Sequence, residues 1–231
     1  MSTQLKVGIG VAVIVLFSAG LWFGGLLRVG PAKAPSLDRE LNFPADFPQE
    51  ARQILTQNVQ TLRERILQNQ EDAAAWLDLA IQYKTINDFD GAIEIWKYLA
   101  DAKNHPVAYY NLGSTYHLDL KQYAQSENYY RKAIEANPGF ALNYSGLHEL
   151  YKYSYKQDGT LAADVLKEGI EKVSDNGRID LMTALAGYYV EKGDKTQAVE
   201  WYSKAKLAAT SAGNPDLAGQ IQKQIDLLNS R

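Results

Sequence analysis

The composition indicates a folded chain with no strong charge bias. At 231 residues, 46% of them hydrophobic, the chain is long enough to bury a sizeable core, which disfavours intrinsic disorder. Its 24 Lys and Arg against 27 Asp and Glu give a formal net charge of -3, so there is no basic field to attract a phosphate backbone. We therefore expect no nucleic acid partner.

The residue types that carry most enzyme chemistry are scarce. The chain has no cysteine, which excludes disulfides, thiolate metal sites and cysteine nucleophiles. Its three histidines, His105, His117 and His148, lie far apart, and no HExxH pair places two of them on one helical face. The folded part also shows no nucleophile–base pair and no phosphate-binding loop. We therefore expect no enzyme, no cofactor and no metal site.

A short tail, residues 1–6, precedes an apolar run of membrane-spanning length. Residues 7–27 read VGIGVAVIVLFSAGLWFGGLL, without a charge, between Lys6 and Arg28. As a helix this run would extend about 30 Å, the thickness of the hydrocarbon core of a bilayer. The sequence therefore predicts a single transmembrane helix at 7–27.

A cleaved secretory signal is the alternative interpretation of this run. Residues 32–34, Ala-Lys-Ala, have the small-x-small pattern of a cleavage site. Against cleavage, the apolar run is longer than usual, Arg28 separates it from the site, and Pro35 would become the first mature residue. These departures favour an uncleaved membrane anchor.

Orientation and self-association are open at this point. Lys6 and the amino terminus on one side face three basic residues on the other, so charge counting does not fix the topology. By analogy with bacterial N-terminal anchors, we expect the tail in the cytoplasm and the following domain outside it. Gly20 and Gly24 form a GxxxG pair, which would allow a weak homodimer between two such helices.

Residues 28–47 are predicted to be a tether. They contain Pro31, Pro35 and Pro44 among small and charged residues, and Pro48 follows directly. Proline in such surroundings favours a semi-extended chain over a helix. We expect this segment to hold the following domain away from the bilayer.

From residue 73 onward a helical pattern recurs in four units. Apolar residues lie three and four apart throughout, and no segment alternates as a strand would. Each unit repeats the same order of large, small and aromatic residues. Unit one has Trp76, Leu79, Ala80, Tyr83, Ala92 and Trp96; unit two has Tyr109, Leu112, Gly113, Tyr116, Tyr130 and Ala133; unit three has Tyr144, Leu147, Tyr151, Ala162 and Leu166; unit four has Met182, Leu185, Ala186, Tyr189, Ala198 and Tyr202.

At these residues the chain resembles the tetratricopeptide repeat family, whose signature places W-x2-L-G-x2-Y on the first helix of each pair. The resemblance covers 73–212. It implies an all-α fold, a right-handed superhelical solenoid of stacked antiparallel helix pairs, here preceded by one transmembrane helix. Unit two is one residue longer than the repeat pattern, and the extra residue lies around Lys121. Unit three has His148 at the position where the repeat usually has a small residue. Its turn near Gly159 is about two residues longer than in the repeat pattern.

Two flanking segments are predicted to cap the solenoid. Residues 48–72 contain an amphipathic helix, and residues 213–231 contain a second one from Pro215 to Leu228. Caps of this kind are needed because an uncapped solenoid exposes its apolar stacking face.

The resemblance also implies a binding surface, the concave face formed by the first helix of each pair. The chaperone-tail clamp of one subgroup is absent, because Tyr110 and Ser114 occupy the places of its Lys and Asn. We expect Tyr110 and Tyr153 to be the energetic hot spots for a bound peptide. The predicted groove residues are Leu77, Ile81 and Lys84 in unit one, Tyr110, Ser114 and His117 in unit two, Ser145, Glu149, Lys152 and Tyr153 in unit three, and Thr183, Gly187 and Val190 in unit four.

Three functions follow from these observations. The first is a membrane-anchored scaffold that binds a peptide or protein partner in the concave groove. The second is an enzyme or carbohydrate-binding component with a cryptic site in that groove. The third is a structural spacer that dimerises through its membrane helix. The absence of catalytic motifs favours the first.

Overall fold

The computed structural model describes residues 33–157 and 159–230, and this part of the chain is all-helical. The predicted tail and transmembrane helix lie outside these residues. Within them, no helix is both long enough and apolar enough to cross a bilayer. The helices are α1 (Gln49–Gln68), α2 (Ala73–Thr85), α3 (Phe89–Lys103), α4 (Pro106–Ser114), α5 (Tyr123–Ala136), α6 (Ala141–Tyr153), α7 (Leu161–Lys172), α8 (Gly177–Glu191), α9 (Lys195–Ser211) and α10 (Pro215–Asn229), and a π-helical turn, Thr115–Asp119, follows α4.

The helices form a stack of four pairs. Helix α2 packs on α3, α4 on α5, α6 on α7 and α8 on α9, and each second helix also contacts the first helix of the next pair. The first helices meet each other as well, since α6 contacts both α4 and α8. At the ends, α1 packs on α2 and α10 packs on α9. The prediction of an all-α stack of helix pairs is therefore confirmed for the described part of the chain.

Each pair turns through at least one residue with a left-handed backbone. These residues are Asn87 (φ 62°) in unit one, Lys121 (φ 55°) in unit two, Lys156 (φ 55°) and Gly159 (φ 108°) in unit three, and Gly193 (φ 75°) in unit four. Glycine and asparagine adopt this conformation readily, whereas a lysine there is strained by about 1 kcal/mol. Units two and three therefore contain turn residues that are poorly suited to their backbone.

Unit two absorbs its extra residue in the π-helical turn. The amide of Leu120 donates to the carbonyl of Thr115 at 3.0 Å, five residues back. A π turn accommodates one additional residue inside a helix without breaking it. The extra length that the sequence shows around Lys121 thus lies at the end of the first helix and in the turn that follows.

Unit three accommodates a histidine where the other units have a small residue. His148 is buried, and its Nδ1–H donates to the carbonyl of Ala162 on the paired helix at 2.8 Å. Because a carbonyl only accepts, this bond fixes the proton on Nδ1. The histidine therefore joins the two helices by a hydrogen bond as well as by packing.

Signature residues form most of the core. Trp76, Tyr83, Tyr144 and Tyr151 are each at most 2% exposed. In unit four, the signature residue Tyr189 packs against the core but is only partly buried. Its neighbour Tyr188 is the buried one of the two, with its ring at 6.0 Å from that of His148.

Residues 33–47, the part of the predicted tether that the structure describes, pack against the helices and do not extend freely into solvent. Residues from Ala34 onward belong to the same compact unit as the helices, and five apolar residues of the segment pack against the core around α1, α2 and α3. The prolines do prevent a helix, but the apolar residues between them bury surface on the array instead of remaining in solvent. Those five residues are Ala34, Leu37, Leu41, Phe43 and Phe47.

Candidate functional site

The first helices of the four pairs present one continuous face. Within each unit the predicted groove residues follow one another at intervals of three or four, except that Tyr153 directly follows Lys152, and in a regular helix this spacing places them on one side. Neighbouring first helices are in register along this face. The ring of Tyr110 on α4, for example, lies 3.2 Å from where a Cβ on Gly146 of α6 would be.

Three side-chain bonds connect successive first helices at equivalent positions. Each joins the third predicted groove position of one unit to a residue near the end of the first helix in the next unit. These bonds span the repeat boundary and fix the spacing of the first helices. They are Lys84 Nζ to Asp119 Oδ2 at 2.6 Å, His117 Nε2 to Ser154 Oγ at 2.9 Å, and Lys152 Nζ to Glu191 Oε1 at 2.6 Å.

The lysines at these positions are therefore not free to hold a ligand carboxylate. Lys84 is paired with Asp119, and its ammonium also lies 3.4 Å from the hydroxyl of Thr115. Burial by itself would lower the pKa of Lys152, but hydrogen bonds to Glu191 and Tyr153 outweigh it and raise the pKa. Lys152 therefore stays charged at neutral pH, and both lysines are held by bonds within the array.

His117 is not a groove residue, and that prediction is wrong. Its ring is 5% exposed, lies edge-on to Tyr123 and Tyr130, and bonds Ser154. The π-helical turn changes the direction of the side chains that follow Ser114, so the ring points inward. Burial lowers its pKa, and its Nδ1 has no hydrogen-bond partner among the described residues.

Tyr110 is less available than expected. Its ring is half-buried and packs on the ring of Tyr130 at 5.7 Å, and it contacts buried residues of both the amino-terminal half (α1–α5) and the carboxyl-terminal half (α5–α10) of the array. Burial raises its pKa. Leu77 is also partly buried against the core. Tyr110 and Leu77 therefore pack partly against the core and present only part of their side chains on the face.

The remaining predicted groove residues differ in exposure. Glu149 and Tyr153 on α6 are exposed, whereas Ser114 on α4 and Ser145 on α6 are half-buried. Thr183 and Gly187 are half-buried on α8 and leave little side chain there for a ligand to contact. Unit four thus contributes mainly Val190 to the surface.

Tyr153 borders a shallow pocket between units three and four. The pocket has a volume of about 160 Å³, and its lining includes Lys152, Ala162, Tyr188 and Glu191. The ammonium of Lys152 lies 4.6 Å from the centre of the Tyr153 ring, a cation–π distance that holds the ring in place. This pocket has room for one side chain of a partner.

Exposed apolar side chains are the most informative feature of the face. Large apolar residues are usually buried, so several on one side of an array require an explanation. Every first helix contributes at least one. They are Ile81 (45% exposed), Val107 (38%), Leu118 (58%), Leu142 (50%), Tyr153 (60%) and Val190 (36%).

Sequence reasoning missed three of these six residues. Val107 and Leu142 occupy the second position of α4 and α6, which the groove prediction did not include. Leu118 is exposed because it lies in the π-helical turn, where the register changes. The first two have a signal in the sequence, an apolar residue three before the predicted groove residues Tyr110 and Ser145. The third has none.

The described residues show no metal centre. Residues 33–157 and 159–230 contain no cluster of three or more His, Asp or Glu side chains that could hold an ion.

Comparison with known proteins agrees with this geometry. The fold defines an α-solenoid protein. The tetratricopeptide repeat family model matches residues 106–140, which contain the pair α4 and α5. This match identifies residues 106–140 as a tetratricopeptide repeat, and the other three helix pairs have the same helix–turn–helix architecture. No curated protein matches the sequence significantly.

Solved structures of the same architecture are similar in fold. MamA is 20% identical, with 75% of this chain and 99% of that chain covered at a TM-score of 0.52. TTC0263, a thermophilic TPR protein in Thermus thermophilus, is 19% identical, with 74% and 97% covered at a TM-score of 0.50. A double mutant of MamA RS-1 is 20% identical, with 71% and 89% covered at a TM-score of 0.51. At these identities the likeness concerns the fold.

Proposed function

We propose that this protein is a membrane-anchored scaffold that binds a peptide or protein partner on the face formed by its first helices. The proposal is carried by one observation, the row of exposed apolar side chains to which all four first helices contribute. Apolar side chains exposed together on one side of an array are a feature of interaction surfaces. Tetratricopeptide repeat arrays are typically interaction scaffolds, which supports the same function.

The chemistry of the face favours a partner that presents apolar side chains. The lysines at its edge are already paired within the array, so charge is not the main attraction. An amphipathic helix or an extended apolar peptide would bury Ile81, Leu118 and Leu142, and one of its side chains would enter the pocket beside Tyr153. Each fully buried large apolar group contributes about 1.5–3 kcal/mol.

Matched substitutions test the face. Partners are captured from membranes by crosslinking to the full-length protein and to single variants of it. Leu118→Ala and Tyr153→Ala should reduce capture of the relevant partner by about tenfold or more, the effect of a central hot spot. Leu207→Ala is the control, because Leu207 is equally apolar and 69% exposed but lies on a second helix, α9. Equal capture by all three variants would disprove the role of the face.

The membrane part of the proposal rests on the uncharged run at 7–27. The full chain should remain with membranes after salt and carbonate washing, whereas a chain beginning at residue 34 should be released. Recovery of the full chain in the wash, or of a form processed near Pro35, would contradict anchoring. The truncation begins at 34 because residues 34–47 pack on the array.

Orientation is tested with a single introduced cysteine. The chain has no cysteine of its own, so Lys223→Cys, at an exposed position on α10, gives one reactive thiol. We propose that the array lies outside the cytoplasm, and a membrane-impermeant thiol reagent should then label intact cells. Labelling only after lysis would place the array in the cytoplasm.

A homodimer through Gly20 and Gly24 would appear as a crosslinked pair of full-length chains. The substitution Gly24→Leu should abolish this crosslinked pair.

A further inference from the structure

Residues 35–43 lie on the array with the alternation of an extended peptide. Pro35 is buried, and Leu37, Arg39, Leu41 and Phe43 are half-buried, whereas the even-numbered residues 36 to 42 are exposed. A period of two is the pattern of an extended chain with one side against a surface. The segment therefore contacts the array as a bound peptide would.

Arg39 is the polar centre of this contact. Its guanidinium donates two hydrogen bonds to Asp88, at 2.5 Å to Oδ2 and 2.6 Å to Oδ1. Asp88 also caps α3, because its Oδ1 accepts from the amide of Gly91 at 3.1 Å. The backbone carbonyl of Arg39 accepts from Arg63, which in turn donates to the hydroxyl of Tyr83 at 3.1 Å. Bidentate pairs of arginine with a carboxylate are directional as well as strong.

The array is shaped to receive this arginine. A Cβ on Gly91 would lie 2.5 Å from Nε and 2.9 Å from Cδ of Arg39, so glycine leaves the space that the side chain fills. Hydrogen bonds from Arg39 and Gly91 lower the pKa of Asp88 although burial opposes this, and the carboxylate stays charged. The space beside Gly91, the negative charge of Asp88 and the hydrogen bond from Arg63 to the backbone all fit Arg39.

A second arginine holds the end of the segment. Arg52 on α1 donates to the carbonyls of Phe47 at 3.0 Å and Pro44 at 2.9 Å. Its guanidinium also lies 5.5 Å from the centre of the Phe43 ring. The segment is thus bound at its centre by Asp88 and at its end by Arg52.

We propose that α1 and the α2–α3 turn form a peptide-binding site whose ligand, residues 35–43, is carried by the chain itself. The ligand class is an extended peptide with apolar side chains at alternate positions around a central arginine. The site is separate from the apolar face, because Asp88, Arg63 and Tyr83 are not among the groove residues. The amino-terminal region is then joined to the array by recognition as well as by the covalent chain.

The test separates recognition from covalent connection in the full-length protein. A protease recognition sequence is inserted between Ala45 and Asp46, both exposed, and the chain carries an amino-terminal affinity tag. After cleavage in detergent, the fraction of array retained with the tagged piece is measured. Retention should be high in the parent protein and should fall about tenfold with Asp88→Asn or Arg39→Gln, which remove the charged pair.

The control is Asp194→Asn. Asp194 caps α9 through a bond to the amide of Gln197 at 3.0 Å, as Asp88 caps α3, but it has no ion pair among the described residues. Asparagine caps a helix as well as aspartate does, so both variants should keep their helicity before cleavage, as circular dichroism will show. Dissociation of the parent protein after cleavage would overturn the proposal. So would equal retention in the Asp88 and Asp194 variants.

Discussion

The close crossing of the two helices in each pair is packed differently in the two end units and in the two middle units. In units one and four, the close helix crossings have alanine on both helices, and all four alanines are fully buried. Small residues at these positions allow the helices to approach without a cavity. The residues are Ala80 and Ala92 in unit one and Ala186 and Ala198 in unit four.

In the middle units, a polar side chain bonds a backbone carbonyl at the same positions. The hydroxyl of Ser126 donates to the carbonyl of Gly113 at 2.8 Å in unit two. In unit three the imidazole of His148 donates to the carbonyl of Ala162 at 2.8 Å. A larger side chain is therefore accommodated at a close crossing when it completes a hydrogen bond there. The repeat fixes the position, while the chemistry at that position varies.

The largest expected effect is overpacking in the end units. Ala80→Leu and Ala186→Leu should each lower the free energy of unfolding by about 3 kcal/mol, because added methylenes force a close crossing apart. His148→Leu should cost only about 1 kcal/mol, since that site already holds a large side chain and loses one hydrogen bond. Denaturant titration measures all three. Equal losses would mean that the end and middle units do not differ in this way.

Glycine substitutions test the packing of the first helices, at a buried position and at a half-buried one. A Cβ on Gly113 would lie 2.7 Å from Cδ1 of Tyr130, so Gly113→Ala should destabilise by about 2 kcal/mol. At Gly187 the nearest atom to an added Cβ is the hydroxyl of Tyr202 at 4.0 Å. Gly187→Ala should therefore stabilise by up to about 1 kcal/mol through helix propensity. A loss of stability at both positions in thermal melts would contradict this packing.

Acid should weaken the array through its buried histidines. Burial lowers the pKa of His117 and His148 from the usual 6.5, so the folded state binds fewer protons than the unfolded state below that pH. Stability is then full above about pH 6.5 and falls as the pH drops toward the folded-state pKa, by about 1.4 kcal/mol for each unit of pKa difference. Replacing both histidines with glutamine should flatten this dependence between pH 7 and 5, and an unchanged slope would exclude them as its cause.

The turn residues provide a smaller test in the opposite direction. Lys121→Gly and Lys156→Gly should each raise the free energy of unfolding by about 1 kcal/mol, because glycine adopts the left-handed backbone without strain. Gly193→Ala, at the corresponding turn of unit four with φ 75°, should lower it by a similar amount. Chemical denaturation of the three variants checks the sign in each unit.

The smallest effects are expected for the ion pairs of the array, both between units and within a helix. Lys84→Met should cost at most about 1 kcal/mol, because the pair with Asp119 is only partly buried. Glu200→Gln, which breaks the exposed pair with Lys204, should stay within about 0.5 kcal/mol. If Lys84→Met instead costs several kcal/mol, the bonds between first helices contribute more to the array than their exposure suggests.

Much of the array could be predicted from local pattern. Apolar spacing places Trp76, Tyr83, Tyr144 and Tyr151 in the core, and there they are. The binding groove on the first helices stays a prediction, and not all of its predicted residues reach the surface. His117 is buried, because a helix with one extra residue no longer follows a period of 3.6.

Local pattern is enough to predict that the chain forms helix pairs and which side chains pack inside them, because both depend on a period that is readable within one helix. The residues that meet across units could be identified only from the packed helices. The bonds from Lys84 to Asp119 and from Arg39 to Asp88 join residues 35 and 49 positions apart, through helices that pack at angles no local pattern encodes. For the same reason, residues 34–47, which resemble a linker in composition, lie bound on the first pair: their burial depends on a surface formed by other parts of the chain.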